Sequence, residues 1–386
     1  MIEILLAQSL EVDDIELTLR DILNQLNPSG SLRKNSLGIL HCNHAFIESG
    51  AVQAICERLP FPVVGLNTIL NSSSLGFLDN MLLSIIVLTS DEVKFATGLS
   101  GPLDIDLRSS FINMYLETEN LLSSRPAFAL LFAPISSIYP IGERIVQIID
   151  EVSDGVPLFG AQPSDYTTYI RDPQIIYNGA TYRDRAAIVL VEGKIKPRFN
   201  VFPLSPLKGI HQKAIITAAE DNIIMEVNGI PVLEFLESLG LCWYGQISGT
   251  HTIAIFLDKN DGNSPIIRII QSQTPEGHIV LSGNAPIQTT LGLGAWSISD
   301  SLDVITRVGH QVRLLVPDVI LLYSCLSRNI TLGLDYMAEM EAVHNQLKPL
   351  VQYSFAYTGG EICPVYRKDG KIHNEYHNMA LITLSL

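Results

Sequence analysis

Near its C-terminus the sequence gathers the residue types suited to holding a small charged molecule. The apolar run Val319-Ile320-Leu321-Leu322-Tyr323-Ser324 ends in the thiol of Cys325, and Arg328 follows. Further on come Gly359-Gly360-Glu361, and then His377-Asn378 before a last apolar run to Leu386. Arginine offers planar, bidentate donors to a carboxylate or phosphate. A helix starting at Thr331 would add free N–H groups at the same strand end. Paired glycines permit positive φ or close backbone approach, so they can present Glu361 at a pocket rim. Glu361 then suits the amine of a zwitterion whose carboxylate sits on Arg328, with Cys325, Gly360, His377 and Asn378 lining the site. Strand ends are where open α/β sheets bind ligands. The plainer reading is a buried strand cysteine, an arginine paired with a nearby acid, and an ordinary turn carrying a solvated glutamate.

A second set follows two strand-end glycines: Asn67 and Thr68 after Gly65, and Gln162, Ser164 and Asp165 after Gly160. These either line a pocket or cap turns, as Asn, Thr, Ser and Asp commonly do. His41-Cys42-x-His44 and His373-x-x-x-His377 have local metal-ligand spacing. Neither has a second ligand cluster or a His-Glu-x-x-His core, so no metal or cofactor is expected. Cys325 could pair with His377 or His344 as a thiol–imidazole couple. A cysteine deep in an apolar strand has a raised pKa and is inert, however. No nucleophile elbow, P-loop or dinucleotide fingerprint is present.

The elements that must position these residues follow from composition and pattern. The chain has 386 residues, 47% hydrophobic and 17% charged, enough for two or three domains with large cores. No stretch supplies the ~20 unbroken apolar residues of a spanning helix. Runs such as Met81–Thr89 and Phe128–Pro134 are strand-sized and read as strands buried on both faces. The N-terminus lacks a basic leader, and five scattered cysteines make no disulfide framework, which together suggest a cytoplasmic protein. A net charge of −15 argues against nucleic acid and anionic membrane as partners.

The pattern predicts a first helix over Ser9–Leu26, then a strand near Leu37–Leu40, a helix over Ala51–Leu59 and a strand at Pro62–Gly65. Strands at Met81–Thr89 and Glu92–Gly98 complete this unit. The order recurs from Asp104 to Phe202, and again from Val319, with Gly333–Leu347 as a helix and Gly359 as the third strand-end glycine. The middle, Leu207 to Arg313, is β-rich, with a hairpin around Glu220-Asp221-Asn222 and a second turn at Asn228-Gly229. The fold class is mixed α/β to α+β: two domains, 1–220 and 221–386, of β-sheets built from duplicated strand–helix–strand modules with helices outside. Two sheets face to face between helices is the expected layering.

The Cys-x-x-Arg after a strand, the Gly-Glu-Ile at 360–362 and the closing asparagine with its apolar strand resemble the FIST C domain. Val63-Val64-Gly65, Val156-Pro157-Leu158-Phe159-Gly160 with Asp165, Tyr177-Asn178-Gly179-Ala180 and Asn228-Gly229-Ile230-Pro231 are similar to landmarks of FIST N and its linker. Two positions depart from that pattern: Phe159 replaces a glycine usual beside Gly160, and Leu66 a cysteine usual after Gly65. The resemblance implies a sensory protein of intracellular signal transduction, without catalysis, that binds a small zwitterionic or anionic ligand such as an amino acid. It also implies a signalling partner protein, since no output domain is evident. An enzyme acting through Cys325 and a non-catalytic interaction scaffold are the alternatives.

Overall fold

The computed structural model describes residues 2–76, 80–135, 142–165, 173–203, 209–241, 253–258, 265–295, 297–367 and 370–386. Three units of one plan form three mixed sheets around a common core. The first holds β1 (Glu3–Ser9), β2 (Asn35–Cys42), β3 (Val63–Asn67), β4 (Asn71–Ser73) and β5 (Leu83–Ser90). The second holds β6 (Lys94–Leu99), β7 (Phe128–Phe132), β8 (Leu158–Gln162), β9 (Ile175–Tyr177), β10 (Ala180–Tyr182) and β11 (Ala187–Glu192). The third begins with β12 (Arg198–Phe202). A barrel then intervenes: β13 (Gly209–Glu220), β14 (Ile223–Val227), β15 (Ile230–Pro231), β16 (Ile253–Asp258), β17 (Ile266–Gln273), β18 (Ile279–Leu281) and β19 (Thr290–Ala295). The unit resumes with β20 (Val319–Cys325), β21 (Gln352–Thr358), β22 (Gly360–Tyr366), β23 (Ile372–His377) and β24 (Leu381–Ser385).

In each unit a parallel pair is joined by a helix: β2 with β3, β7 with β8, β20 with β21. A return strand lies antiparallel to the first member of the pair (β5, β11, β24). An edge strand completes that side (β1, β6, β12). Beyond the second parallel strand, the neighbour comes from another unit. β4 of the first unit pairs with β21, β9 of the second with β3, and β22 of the third with β8. The three units therefore exchange strands in a closed ring, and two of the sheets draw strands from both sides of residue 220.

Alternation along the strands explains the continuous apolar runs. Ile39, Val64, Ile86, Leu130, Phe159, Val189, Leu321 and Ile382 face the shared interior. Leu40, Val63, Ile85 and Val87 face outward onto the helices Ile15–Leu26 and Ala51–Arg58. The other two sheets carry equivalent pairs, Leu107–Glu119 with Gly142–Ser153 and Ile298–Leu315 with Ala338–Leu347. The layering is thus three sheets about one core rather than two face to face. Tyr323 joins all three: its ring stacks on Phe159 at 5.3 Å and meets His41 edge-on at 5.5 Å, with its hydroxyl 3.3 Å from His41 Nε2. Burial lowers the His41 pKa to about 3, so the ring is neutral and serves as a hydrogen-bonding spacer.

The middle segment closes on itself. β13 pairs with β19 on one side and β14 on the other, with register shifts at Ile210/Ala214, Ile216/Ala218 and Ala218/Ala219 that let one long strand turn the corner. The expected hairpin is present, with Asp221, Asn228 and Gly229 at positive φ. The helix Val232–Ser238 packs Val232, Phe235 and Leu236 into the barrel core.

Several boundaries differ from the sequence reading. Glu3–Ser9 is a strand, and the first helix starts only at Ile15, where the Asp14 side chain accepts from Leu17 N at 3.0 Å. Gly333–Leu347 is not one helix. Gly333, at φ +58, ends the helix Leu326–Leu332, and Ala338–Leu347 follows a short 3₁₀ turn. The third-unit counterpart of Gly65 and Gly160 is Phe355, not Gly359. Leu40 pairs with Gly65, Leu131 with Gly160 and Leu322 with Phe355, all on the outer faces of their sheets.

At Gly65 and Gly160 an added Cβ would overlap the carbonyl oxygen of Leu40 or Leu131 on the adjoining strand. The backbone cannot yield there without parting the parallel pair. Gly65→Ala and Gly160→Ala should each destabilise by about 2–3 kcal/mol. Urea unfolding checks this; glycine variants as stable as the parent would refute the close-approach argument.

Candidate functional site

The C-terminal ends of β3, β8 and β21 meet at one pole of the three-sheet core. Ser164 N donates to Asn67 O at 3.1 Å, Gly359 N to Gln162 O at 2.9 Å, and Tyr357 N to Leu70 O at 3.1 Å. Thr68 Oγ1 and Ser164 Oγ both donate to Tyr357 O, at 2.7 and 2.8 Å. Asn67 Oδ1 accepts from Gln174 N at 2.6 Å. Much of the second candidate set thus satisfies backbone groups where chains cross away from water. Asp165 lies partly buried just past this crossing.

Cys325 ends β20, and Arg328 lies inside the helix Leu326–Leu332 rather than ahead of one beginning at Thr331. Arg328 is fully buried and ion-paired with Glu339, also fully buried. Its Nε donates to Ser324 Oγ and Glu339 Oε1, each at 3.0 Å. Ser324 Oγ and Tyr357 OH donate to Glu339 Oε2 at 3.1 and 2.9 Å. A buried charge pair persists only when its remaining hydrogen-bonding groups are satisfied in this way.

Glu361 is not at a solvated rim: it is the second residue of β22 and fully buried. Thr358 Oγ1 donates to its Oε1 at 2.8 Å, while Oε2 has no hydrogen-bond partner among the described residues. Burial pushes its pKa well above the usual carboxylate range; the Thr358 hydroxyl, the Arg328 charge and the Cys325 thiol pull the other way without prevailing. Burial, and then the Glu361 charge, likewise raise the Cys325 thiol, whose hydrogen bonds run to Ser327 and to the Met379 backbone. Gly360 is required by contact, because a Cβ there would overlap the Tyr376 phenol and Gln162. Tyr376 OH donates to Gln162 Oε1 at 2.7 Å, and Gln162 Nε2 to Pro134 O at 2.7 Å.

Beside this cluster the barrel reaches in. Arg268 of β17 is buried, ion-paired with Glu143 of the helix Gly142–Ser153, and donates from Nη1 to Ile267 O at 2.9 Å and Tyr376 O at 3.5 Å. Arg268 Nη1 and Ser282 Oγ donate to Asn378 Oδ1 at 3.4 and 2.9 Å; Asn378 Nδ2 is buried with no hydrogen-bond partner among the described residues. His377 ends β23, with Nε2 3.0 Å from Cys363 O, and burial lowers its pKa so that the ring is neutral. The structure therefore brings Cys325, Arg328, Gly360, Glu361, Gln162 and Asn378 to one buried region. It adds Glu339, Tyr376, Arg268 and Glu143, which the sequence reading missed. Only Arg268 had a visible signal: a lone charge within Ile266-Ile267-Arg268-Ile269-Ile270. Among the described residues no group of three or more His, Cys, Asp or Glu is placed to hold a metal ion.

With this geometry in hand, two family models match the chain: the FIST N domain over residues 36–230 and the FIST C domain over residues 239–364. A comparison with curated proteins gives no match. Among the described residues no helix is long and apolar enough to cross a membrane.

Arg328→Ala strands the buried Glu339 carboxylate and should cost about 3–5 kcal/mol. The paired Arg328→Met, Glu339→Leu variant should recover most of that loss. Equal destabilisation of the single and double variants in denaturant unfolding would dismiss the pair as an ion-pair unit. Glu361 has a folded-state pKa above its unfolded value, so the folded state holds the proton more tightly. Its contribution is complete below the unfolded pKa, near ~4.3, and is lost as pH rises toward the folded pKa. Glu361→Gln should therefore match the parent near pH 4 and become progressively more stable than it toward neutral pH. A stability difference that stays flat with pH would contradict this assignment.

Proposed function

The chain belongs to the FIST family, whose domains are associated with sensory signal transduction and small-ligand binding, and on that premise we propose a specific reading of its pole. In this reading the chain is a non-catalytic cytoplasmic sensor that binds a small zwitterionic ligand of amino-acid size and passes its state to a partner protein. The single observation that carries the reading is Glu361, a fully buried carboxyl with one oxygen unengaged among the described residues. Buried polar groups in folded proteins are nearly always paired, so an unspent carboxyl oxygen near the buried Arg328–Glu339 pair calls for a ligand group.

The ligand's ammonium group ionises Glu361 and takes its free oxygen. The ligand's carboxylate competes with Glu339 for Arg328, the residue whose planar donors suit it. Glu339 lies in the first turn of the helix Ala338–Leu347, on the outside of the third sheet. Exchange of the Arg328 partner thus acts on a peripheral helix, a physical route from ligand to partner protein. Support for a non-catalytic role comes from Cys325, whose thiol is raised by burial and hydrogen-bonds to backbone and to Ser327, with no imidazole among those partners.

Thermal-shift measurements against the amino acids and small carboxylates test this. A ligand at about 100 times its Kd adds about 2.7 kcal/mol and should raise Tm by a few degrees. The shift should vanish in Glu361→Gln. Binding should release a proton and tighten up to tenfold per pH unit below the Glu361 pKa. A shift that survives Glu361→Gln, or no shift with any amino acid, would overturn the reading.

A further inference from the structure

A cavity of about 240 Å³ lies between the barrel and the three-sheet core, apart from Glu361, Arg328 and Cys325. Leu257 and Ile267 contribute from the barrel strands β16 and β17, and Val201, Val365 and Ala380 from β12, β22 and the turn before β24. One end is polar: Arg367, Glu375, His377 and Asn378 line it.

The hydrogen-bond roles at that end are already set. Ser282 and Arg268 donate to Asn378 Oδ1, which leaves the amide NH₂ as the remaining donor, buried and unengaged among the described residues. Arg367 spends Nε, at 2.9 Å, and one N–H of Nη2 on Glu375 Oε1, which leaves the N–H groups of Nη1 as further donors. His377 directs Nε2 to Cys363 O, so this nitrogen donates and Nδ1 is the acceptor. The end thus offers a neutral donor, a guanidinium paired with the Glu375 carboxylate, and the His377 acceptor above apolar walls. An engineered apolar cavity of about 150 Å³ in another protein accommodates benzene, so 240 Å³ suits one ring, or a branched chain, bearing an acid group.

We propose that this cavity is a second ligand site, for a single-ring aromatic or branched aliphatic carboxylic acid. Its carboxylate meets Asn378 Nδ2 and Arg367, and its apolar part lies between Leu257 and Ile267 of the barrel and Val201 and Val365 of the core. Because the walls come from both bodies, occupancy bridges the barrel to the core. The inference stands apart from the pole reading, since it uses neither Glu361 nor Arg328.

The test is ¹⁹F NMR titration of the full chain with 4-fluorobenzoate, fluorobenzene and 4-fluorobenzylamine. Fluorobenzoate should bind saturably and at least about tenfold more tightly than fluorobenzene, with no binding of the amine, and isovalerate should displace it. Val365→Phe and, independently, Ile266→Phe should fill the cavity and abolish binding, with folding followed by circular dichroism. Arg367→Gln should weaken binding about tenfold, while Glu361→Gln should leave it unchanged. Absence of saturable fluorobenzoate binding at millimolar concentration, or binding that survives both filling variants, would overturn the proposal. So would binding lost in Glu361→Gln, which would assign the acid to the pole instead.

Discussion

Among the described residues every parallel strand pair has a second member whose outer edge its own unit leaves open. An open edge exposes a row of N–H and C=O groups that must be paired or covered. Here the partner is always a strand of another unit: β4 on β21, β9 on β3, β22 on β8. Because the exchange runs in a ring, removing any unit uncovers an edge in a second and leaves the strand donated by the third without a sheet. The match of FIST N to residues 36–230 and FIST C to residues 239–364 therefore divides family landmarks more cleanly than it divides the sheets. Asn71–Ser73, within the FIST N match, completes the sheet that contains β20 and β21.

The same constraint creates the polar pole. A chain that leaves the end of β3, β8 or β21 to join another sheet must cross its neighbours there, carrying unpaired backbone groups into a dry place. Thr68 and Ser164 answer that need, so their polarity is explained by the crossing itself. Asn67 answers it with Oδ1 alone; its Nδ2, like Glu361 Oε2 and Asn378 Nδ2, is buried with no hydrogen-bond partner among the described residues. Sorting by what the backbone consumes therefore separates structural from candidate ligand-binding groups atom by atom, not residue by residue.

The strand–helix–strand units were legible because their strands are buried on both faces and so read as unbroken apolar runs. Cys325, Gly360, Glu361 and Asn378 were legible as polar groups at strand ends. The exchange was not, since pairing such as Ser73 with Ser354 is set by tertiary closure and leaves no local pattern. β1 was missed for a related reason: Glu3-Ile4-Leu5-Leu6-Ala7-Gln8-Ser9 lacks the alternation of a half-buried strand, and its partner is β5, far along the chain. Gly359 misled because glycine beside a strand end and glycine at a close strand approach look alike in sequence; the Leu322–Phe355 register separates them. Arg328 suggested a ligand anchor, but its partner Glu339 follows a helix break that propensity did not reveal.

The barrel occupies the connection that leads into the third unit's parallel pair. Between β1 and β2 and between β6 and β7 a helix suffices (Ile15–Leu26, Leu107–Glu119); between β12 and β20 the barrel precedes the equivalent helix Ile298–Leu315. Its deepest attachment is Arg268, held at once by Glu143 of the second unit and by Asn378 and Tyr376 O of the third. A guanidinium buried this completely does not tolerate loss of its partners, since an uncompensated charge away from water is costly. Tyr376 also bonds Gln162 beside Gly360, so a displacement of that phenol changes a strand whose carbonyl Arg268 holds. The barrel is thereby tied to the pole through a contiguous set of contacts, Glu143–Arg268–Asn378 and Tyr376–Gln162, the kind of path along which two bodies can be coupled.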